Sequence, residues 1–346
     1  ILCRLLEEQG VDLLFGYPGG AIMPFYHALP ESPGLRHILV RHEQAAAHAA
    51  DGYARASGRP GVCVATSGPG ATNLITGLAT AQMDSSPLVA ITGQVPRAMI
   101  GRDAFQETDV IGISLPITKH SVLVDDITEL PEKVREAFGI ALEGRPGPVL
   151  IDIPKDVQNQ KMEWTEGRKG SKAGPLGTGV PSPRVPADDL PAAVRLLDQA
   201  KRPLLMVGHG VILGNAYAEV QALAEKTGIP VVTTLLGISC FPESHPLHLG
   251  MPGMHGEVHV NRAIQHADVI LGIGLRFDDR VTGNTAAFAP QARIIHVDLD
   301  PTEIGKNVPA AVALVGDARE ITAKLLGAVS IRDCAEWREE INGFKR

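Results

Sequence analysis

Glu43 heads an alanine-rich stretch, Val40-Arg41-His42-Glu43-Gln44-Ala45-Ala46-Ala47-His48-Ala49-Ala50-Asp51-Gly52-Tyr53-Ala54-Arg55-Ala56. The alanines predict a tightly packed helix whose small side chains let another backbone or a flat ligand come close. A carboxyl group at its first turn is partly desolvated and suited to hold and donate a proton. The plainer alternative is that Glu43 complements the helix dipole. Other loops carry further candidates. Ser67-Gly68-Pro69-Gly70-Ala71-Thr72-Asn73 precedes a predicted helix and reads either as an anion site of backbone N–H groups or as a tight turn. Gly16-Tyr17-Pro18-Gly19-Gly20 follows a predicted strand, and residues 94–108 form a long segment with Met99, Ile100, Phe105 and Gln106 between charges. Structureless loops of that length are usually functional.

Toward the other end, Gly208-His209-Gly210 follows a predicted strand, but Leu213 stands where a dinucleotide fingerprint needs its third glycine. Two further segments are Gly250-Met251-Pro252-Gly253-Met254-His255-Gly256 and Gly272-Ile273-Gly274-Leu275-Arg276-Phe277-Asp278-Asp279-Arg280. The second sets two arginines beside a glycine turn, as a pyrophosphate requires. Asp298 and Asp300 close a later strand with carboxylates that could hold ribose hydroxyls. Salt bridging among these charges is the alternative. The 12 histidines form no H-E-x-x-H pattern and no metal site is expected, nor is there a G-x-S-x-G elbow for a serine nucleophile.

The elements that must position these groups alternate. Helices are predicted at residues 1–9, 21–29, 43–57, from 69 to about 83 and 131–142. Strands are predicted at residues 11–15, 35–40, 61–66, 88–92, 118–124 and 148–153. A second alternation has helices from 188, from 215, at 258–266 and from 318, with strands at 204–207, 229–233, 269–273, 293–297 and 312–315. Fully apolar strands alternating with helices predict an α/β protein of two doubly wound parallel-sheet domains. Ligands of such sheets bind beyond the carboxyl ends of the strands.

At 346 residues the chain exceeds one ordinary core. Aromatics are only 4%, while 37 glycines and 26 prolines suit many tight strand-to-helix turns. A net charge of −7 gives no electrostatic reason to expect nucleic acid. Cys3, Cys63, Cys240 and Cys334 make no C-x-x-C pair, which argues against zinc and a disulfide framework and for a reducing, intracellular setting. No apolar run reaches the roughly 18–20 residues of a membrane span. The chain opens at Ile1 inside an apparent helix, so it reads as a fragment whose upstream targeting segment would not be visible.

Taken together, FGYPGG (15–20), RHEQ (41–44), TSGPGATN (66–73), IGRDAFQE (100–107), GRPGP (144–148), DIPKD (152–156), GMHG (253–256) and RFDDR (276–280) resemble the catalytic subunits of the acetolactate (acetohydroxyacid) synthases among the thiamine-diphosphate enzymes. The resemblance runs from about residue 1 to 327. It implies a pyrimidine-binding domain at 1–160, a linker at 161–186, a central FAD-binding domain at 187–327, and at 328–346 the start of a linker to an absent third domain. That third domain would carry the ligands of Mg²⁺ and the diphosphate, so the fragment alone should not turn over.

The resemblance further implies that Glu43 protonates the aminopyrimidine of thiamine diphosphate. Pyruvate is then decarboxylated and its two-carbon unit passed to a second 2-keto acid, in branched-chain amino-acid synthesis. Gly20 and Gln106 fall at the reacting centre. Tyr17, Pro18, Gly19, Pro69 and Asn73 resemble cofactor contacts, and Phe105, Lys155, Met254 and Arg276 line the substrate channel. Arg276 would hold the second substrate's carboxylate. Arg145, His255, Arg276, Asp298 and Asp317 match FAD contacts. A homodimer or homotetramer is implied, with a small regulatory subunit as a further partner, no nucleic acid and no membrane. The compartment would be the cytoplasm, or a plastid or mitochondrion in a eukaryote. Arg102 departs from many relatives, which carry a neutral residue there. The rival readings are a pyruvate oxidase, a sulfoacetaldehyde acetyltransferase, or a noncatalytic flavin-binding module. Glyoxylate carboligase is disfavoured, because that enzyme lacks the glutamate supplied here by Glu43.

Overall fold

Apolar runs such as Val62-Cys63-Val64-Ala65 can be buried on both faces only inside a parallel sheet sandwiched by helices. The computed structural model, which describes residues 1–163 and 189–345, shows this arrangement twice, in two separate units. The linker expected at 161–186 lies almost wholly outside the described residues. Among those residues, no helix is long and apolar enough to cross a membrane.

The first unit holds strands β1 (Leu13–Gly16), β2 (Arg36–Leu39), β3 (Gly61–Ala65), β4 (Leu88–Gln94), β5 (His120–Leu123) and β6 (Pro148–Pro154). Its helices are α1 (Leu2–Glu8), α2 (Met23–Ala28), α3 (Glu43–Ser57), α4 (Pro69–Asp84), α5 (Val110–Ser114), α6 (Leu130–Leu142) and the single turn α7 (Lys155–Gln158). The strands pair in the order β2-β1-β3-β4-β6-β5, all parallel. From β1 the chain steps to the edge strand β2 and returns on the other side of β1 as β3. That reversal opens a crevice between the loops after β1 and β3.

Helix α3 starts at His42, whose Nδ1 accepts from the Gln44 N–H, and ends at Gly58 in the left-handed conformation. Its alanines explain how closely it packs. A Cβ added to Gly77 of α4 would lie 2.3 Å from the Ala47 Cβ, and one on Gly61 of β3 only 2.0 Å from the Ala50 carbonyl oxygen. Arg55 ties the two helices by bridging Asp51 at 2.9 Å and Asp84 at 2.8 Å. Glu43 therefore stands on a helix wedged against both β3 and α4.

The second unit has strands β7 (Pro203–Val207), β8 (Val231–Thr233), β9 (His248–Gly250), β10 (Val269–Ile273), β11 (Arg293–Asp298) and β12 (Val312–Val315). Around them lie α8 (Asp189–Gln199), α9 (His209–Leu213), α10 (Tyr217–Thr227), α11 (Val258–His266), α12 (Asp279–Thr282), α13 (Ala318–Ala328) and α14 (Ala335–Gly343). The order β12-β11-β10-β7-β8-β9, again wholly parallel, reverses between β7 and β10. Asp317 caps α13 by accepting from the N–H groups of Arg319 and Glu320.

Residues after 327 do not open a linker as expected. Trp337 and Ile341, four apart on one face of the otherwise charged α14, are buried in the core of this unit, and the Trp337 Nε1–H donates to the Pro203 carbonyl at 3.0 Å. The short β9, inside the Pro- and Gly-rich loop, is likewise an element that the sequence pattern does not predict.

Candidate active site

Four loops of the first unit meet beyond the carboxyl ends of β1, β2, β3 and β4. Thr66, directly after β3, is their hub. Its hydroxyl oxygen accepts from the Ala21 N–H at 3.1 Å, which holds the turn after β1 against it. The same turn is pinned by the Tyr17 N–H, which donates to the Val64 carbonyl. Gly19 faces Thr66 so closely that an added Cβ would sit 2.5 Å from its side chain. Gly20, by contrast, looks into open space, with nothing within 4 Å of such an atom.

Glu43 reaches the same place from the head of α3. It is 9% exposed, so the desolvation expected of it is present. The Asn73 Nδ2 donates to Glu43 Oε2 at 2.9 Å. The other oxygen, Oε1, points to the bare backbone of Gly70, 3.3 Å from where a Cβ would stand. A carboxyl group fixed through one oxygen and offering the other beside a glycine is arranged to pass a proton to a flat ligand. Pro69 opens α4 at its first position, as proline prefers.

The fourth loop closes over the glycine turn. Gly68 has φ +54°, and an added Cβ would lie 2.4 Å from the Gln106 carbonyl oxygen. Gln106 is itself left-handed, at φ +58°, and beside it Phe105 is 86% exposed. Pro18 shares the β1 turn with Tyr17, and Lys155 begins the turn after β6. Arg145 does not join this group. It donates to the Ser85 hydroxyl at 2.8 Å, at the far end of α4, roughly 18 Å along the axis from Asn73.

In the second unit the glycine loops converge at the reversal of the sheet. The Gly210 N–H donates to the Gly274 carbonyl at 2.9 Å, and an added Cβ on either glycine would come within 2.5 Å of the other's Cα. Arg276 follows on the same turn, which buried His296 steadies through its ring Nε2, 2.8 Å from the Leu275 carbonyl oxygen. Asp298 closes β11 with its Oδ1 accepting from the Asp300 N–H, and Asp317 is the helix cap already described. Met254 and His255 are exposed on a turn whose backbone pairs with Arg280. Bare backbone, an arginine and a carboxylate thus share one end of this sheet, as a dinucleotide would need.

Sequence reasoning assigned no role to Asp152, the one acid in the apolar run Pro148–Pro154. It is 1% exposed and accepts from the Thr92 hydroxyl at 2.7 Å and the Gln94 Nε2 at 2.9 Å. Burial pushes its carboxyl up to about 6, against those two hydrogen bonds. Because the folded value lies above the ordinary one, folding favours the protonated form. The charge is therefore a stability cost that grows as pH rises from about 4 to about 6 and is complete above that. The Asp152→Asn variant, which carries no charge there, should be more stable than the parent at pH 7.5 by on the order of 2–3 kcal/mol. Urea unfolding should show that gap closing toward pH 4.

The family profile described as "Thiamine pyrophosphate enzyme, N-terminal TPP binding domain" matches residues 1–113, and "Thiamine pyrophosphate enzyme, central domain" matches residues 190–325. The chain belongs to the thiamine pyrophosphate enzymes. Its similarity to the acetolactate synthase large subunit of Corynebacterium glutamicum is 51% identity, over 99% of this chain and 55% of that protein. For the large subunit of Parasynechococcus marenigrum the figures are 53%, 99% and 57%. A probable acetolactate synthase large subunit of Methanocaldococcus jannaschii is 52% identical, over 100% of this chain and 58% of its own length. The chain spans a little over half the length of these relatives. The thiamine pyrophosphate family fits the geometry of the first unit, where Glu43, Asn73, Gly19 and Gly70 leave a bare-walled place beside a carboxyl group.

Proposed function

We propose that the chain supplies two domains of an acetolactate synthase, which joins the two-carbon unit of pyruvate to a second 2-keto acid. The observation that carries this reading is Glu43 Oε1, presented beside Gly70 while Asn73 holds the other oxygen. The names of the relatives support the choice of reaction within the family. When bound, thiamine diphosphate supplies the electron sink for the decarboxylation and the carbon–carbon bond.

The chain's own residues do the rest. Glu43 holds a proton at Oε1 and exchanges it with the ring of the cofactor. Asn73 orients the carboxyl group, while Gly19 and Gly70, lacking side chains, leave room for that ring. Tyr17, Pro18 and Pro69 line its approach, Gly20 keeps the space next to it open, and Gln106 closes over it. Phe105, Lys155 and Met254 are assigned to the path of the substrates. Arg276 offers a planar bidentate donor for a substrate carboxylate. FAD is assigned to the second unit, on Gly208, Gly274, Arg276 and Asp298, with His255 and Asp317 as further contacts and Arg145 as one from the first unit. Mg²⁺ ligands are assigned to parts of the protein outside this sequence. Assembly as a homodimer or homotetramer, a regulatory subunit and a cytoplasmic setting belong to the same proposal. None of the four cysteines is in a disulfide, which suits a reducing compartment.

The test is acetolactate formation from pyruvate by the full protein, with and without thiamine diphosphate and Mg²⁺. Acetolactate that depends on both is the expected result. Acetyl phosphate or peroxide in its place would move the protein to an oxidase.

A further inference from the structure

The loop carrying Gln106 leaves the sheet at Val95 and returns at Thr108, and its two ends are joined by one buried side chain. The Gln94 Nε2 donates one hydrogen to the Thr108 carbonyl at 3.0 Å and the other to Asp152 Oδ2 at 2.9 Å. Its Oε1 accepts from the Val95 N–H at 2.8 Å. That last bond fixes which way the amide faces, since the reversed amide would set a donor against a donor and an acceptor against an acceptor. Asp152, opposite Thr92 in the β4–β6 register, is held in turn by the Thr92 hydroxyl. Thr92, Gln94 and Asp152 are all at most 4% exposed. Farther out, Glu107 draws in the N–H groups of Gly101, Arg102 and Ala104. A cavity of about 270 Å³ lies under the loop, lined in part by Ile100, Glu107, Val110, Leu123 and Asp152. Met99 and Phe105 are exposed, so polar contacts place the loop: this buried neck, the Glu107 bonds, and Arg97 at its start, paired with Asp156 at 2.8 Å.

We propose that Asp152 is a positioning residue which, through Gln94, locks the neck of the 96–107 loop and so sets Gln106 over the Gly68 turn. The role given to Gln106 rests on the proposed function, whereas the lock itself does not.

Trypsin reports on the lock directly, because Arg102 lies exposed in the loop. Cleavage there follows local opening of the neck. In the full protein, Asp152→Ala and Gln94→Leu should each speed cleavage at Arg102 about tenfold, the effect of losing a buried hydrogen bond with its partner stranded. Asp152→Asn should be cleaved no faster than the parent, with its Oδ1 facing Gln94 and its Nδ2 donating to the Thr92 oxygen. The kcat for acetolactate should fall in the first two variants and recover in the third. Should Asp152→Ala fail to fold, Gln94→Leu and Asp152→Asn still decide the matter. Unchanged cleavage at Arg102, equal acceleration at sites throughout the chain, or an Asp152→Asn variant as open as Asp152→Ala would each overturn the proposal. A parent protein that makes no acetolactate would sink the functional reading but leave the proteolysis result standing.

Discussion

Glu43→Gln in the full protein should lower acetolactate turnover by about 10²–10⁴-fold, the usual contribution of a positioned acid or base. Glutamine has the size of glutamate and retains an oxygen for the Asn73 Nδ2, so the surroundings of the side chain are kept. What it lacks is a carboxyl proton to exchange. Any charge lost from the head of α3 costs at most about 0.3–1 kcal/mol through the helix dipole. Turnover and stability should therefore separate, with activity nearly gone and the melting temperature almost unmoved. Steady-state kinetics beside a thermal melt makes the comparison. A variant with near-parental turnover would mean that Glu43 is only a helix-end residue, the plainer alternative read from the sequence.

Gly274→Ala should be a strongly damaging small change in the second unit. The residue has φ +61°, which costs an alanine roughly 1–2 kcal/mol. The new Cβ would also stand 2.5 Å from the Gly210 Cα, a backbone atom that cannot swing aside. Overpacking of this kind adds about 1–3 kcal/mol. A loss of about 2–5 kcal/mol is expected in denaturant unfolding, and the full protein should purify with less flavin. Gly58→Ala is the control. Gly58 is left-handed, at φ +68°, but nothing lies within 4 Å of its added Cβ, so only the conformational cost applies. Equal losses in the two variants would show that the close approach at the switch point has no weight.

Most of the architecture was legible because the central strands β3, β4, β6, β7 and β10 are buried on both faces and read as mainly apolar runs. Glu43 was legible for a related reason, as a lone carboxylate among alanines. Its partner was not. Asn73 is 30 residues away, and only the order β2-β1-β3 brings the two loops together. Hydrophobic pattern says that a sheet forms but not which strand neighbours which. The Thr92–Gln94–Asp152 group escaped for another reason. The pattern ended the strand at residue 92, whereas β4 continues to Gln94, where a polar pair is buried by hydrogen bonding to β6. An acid inside an apolar run was the available signal. Helix α14 was missed because Trp337 and Ile341 are too few to outweigh the charges around them. Arg145 was placed by resemblance alone, and its bond to Ser85 fixes its position within the first unit.

The most direct test of the central claim is a crystal structure of the full protein with thiamine diphosphate bound. The account predicts a pyrimidine ring nitrogen within about 3 Å of the Glu43 carboxyl oxygen that faces Gly70, the distance of a short hydrogen bond. A ring seated elsewhere, with Glu43 bonded to Asn73 alone, would contradict it.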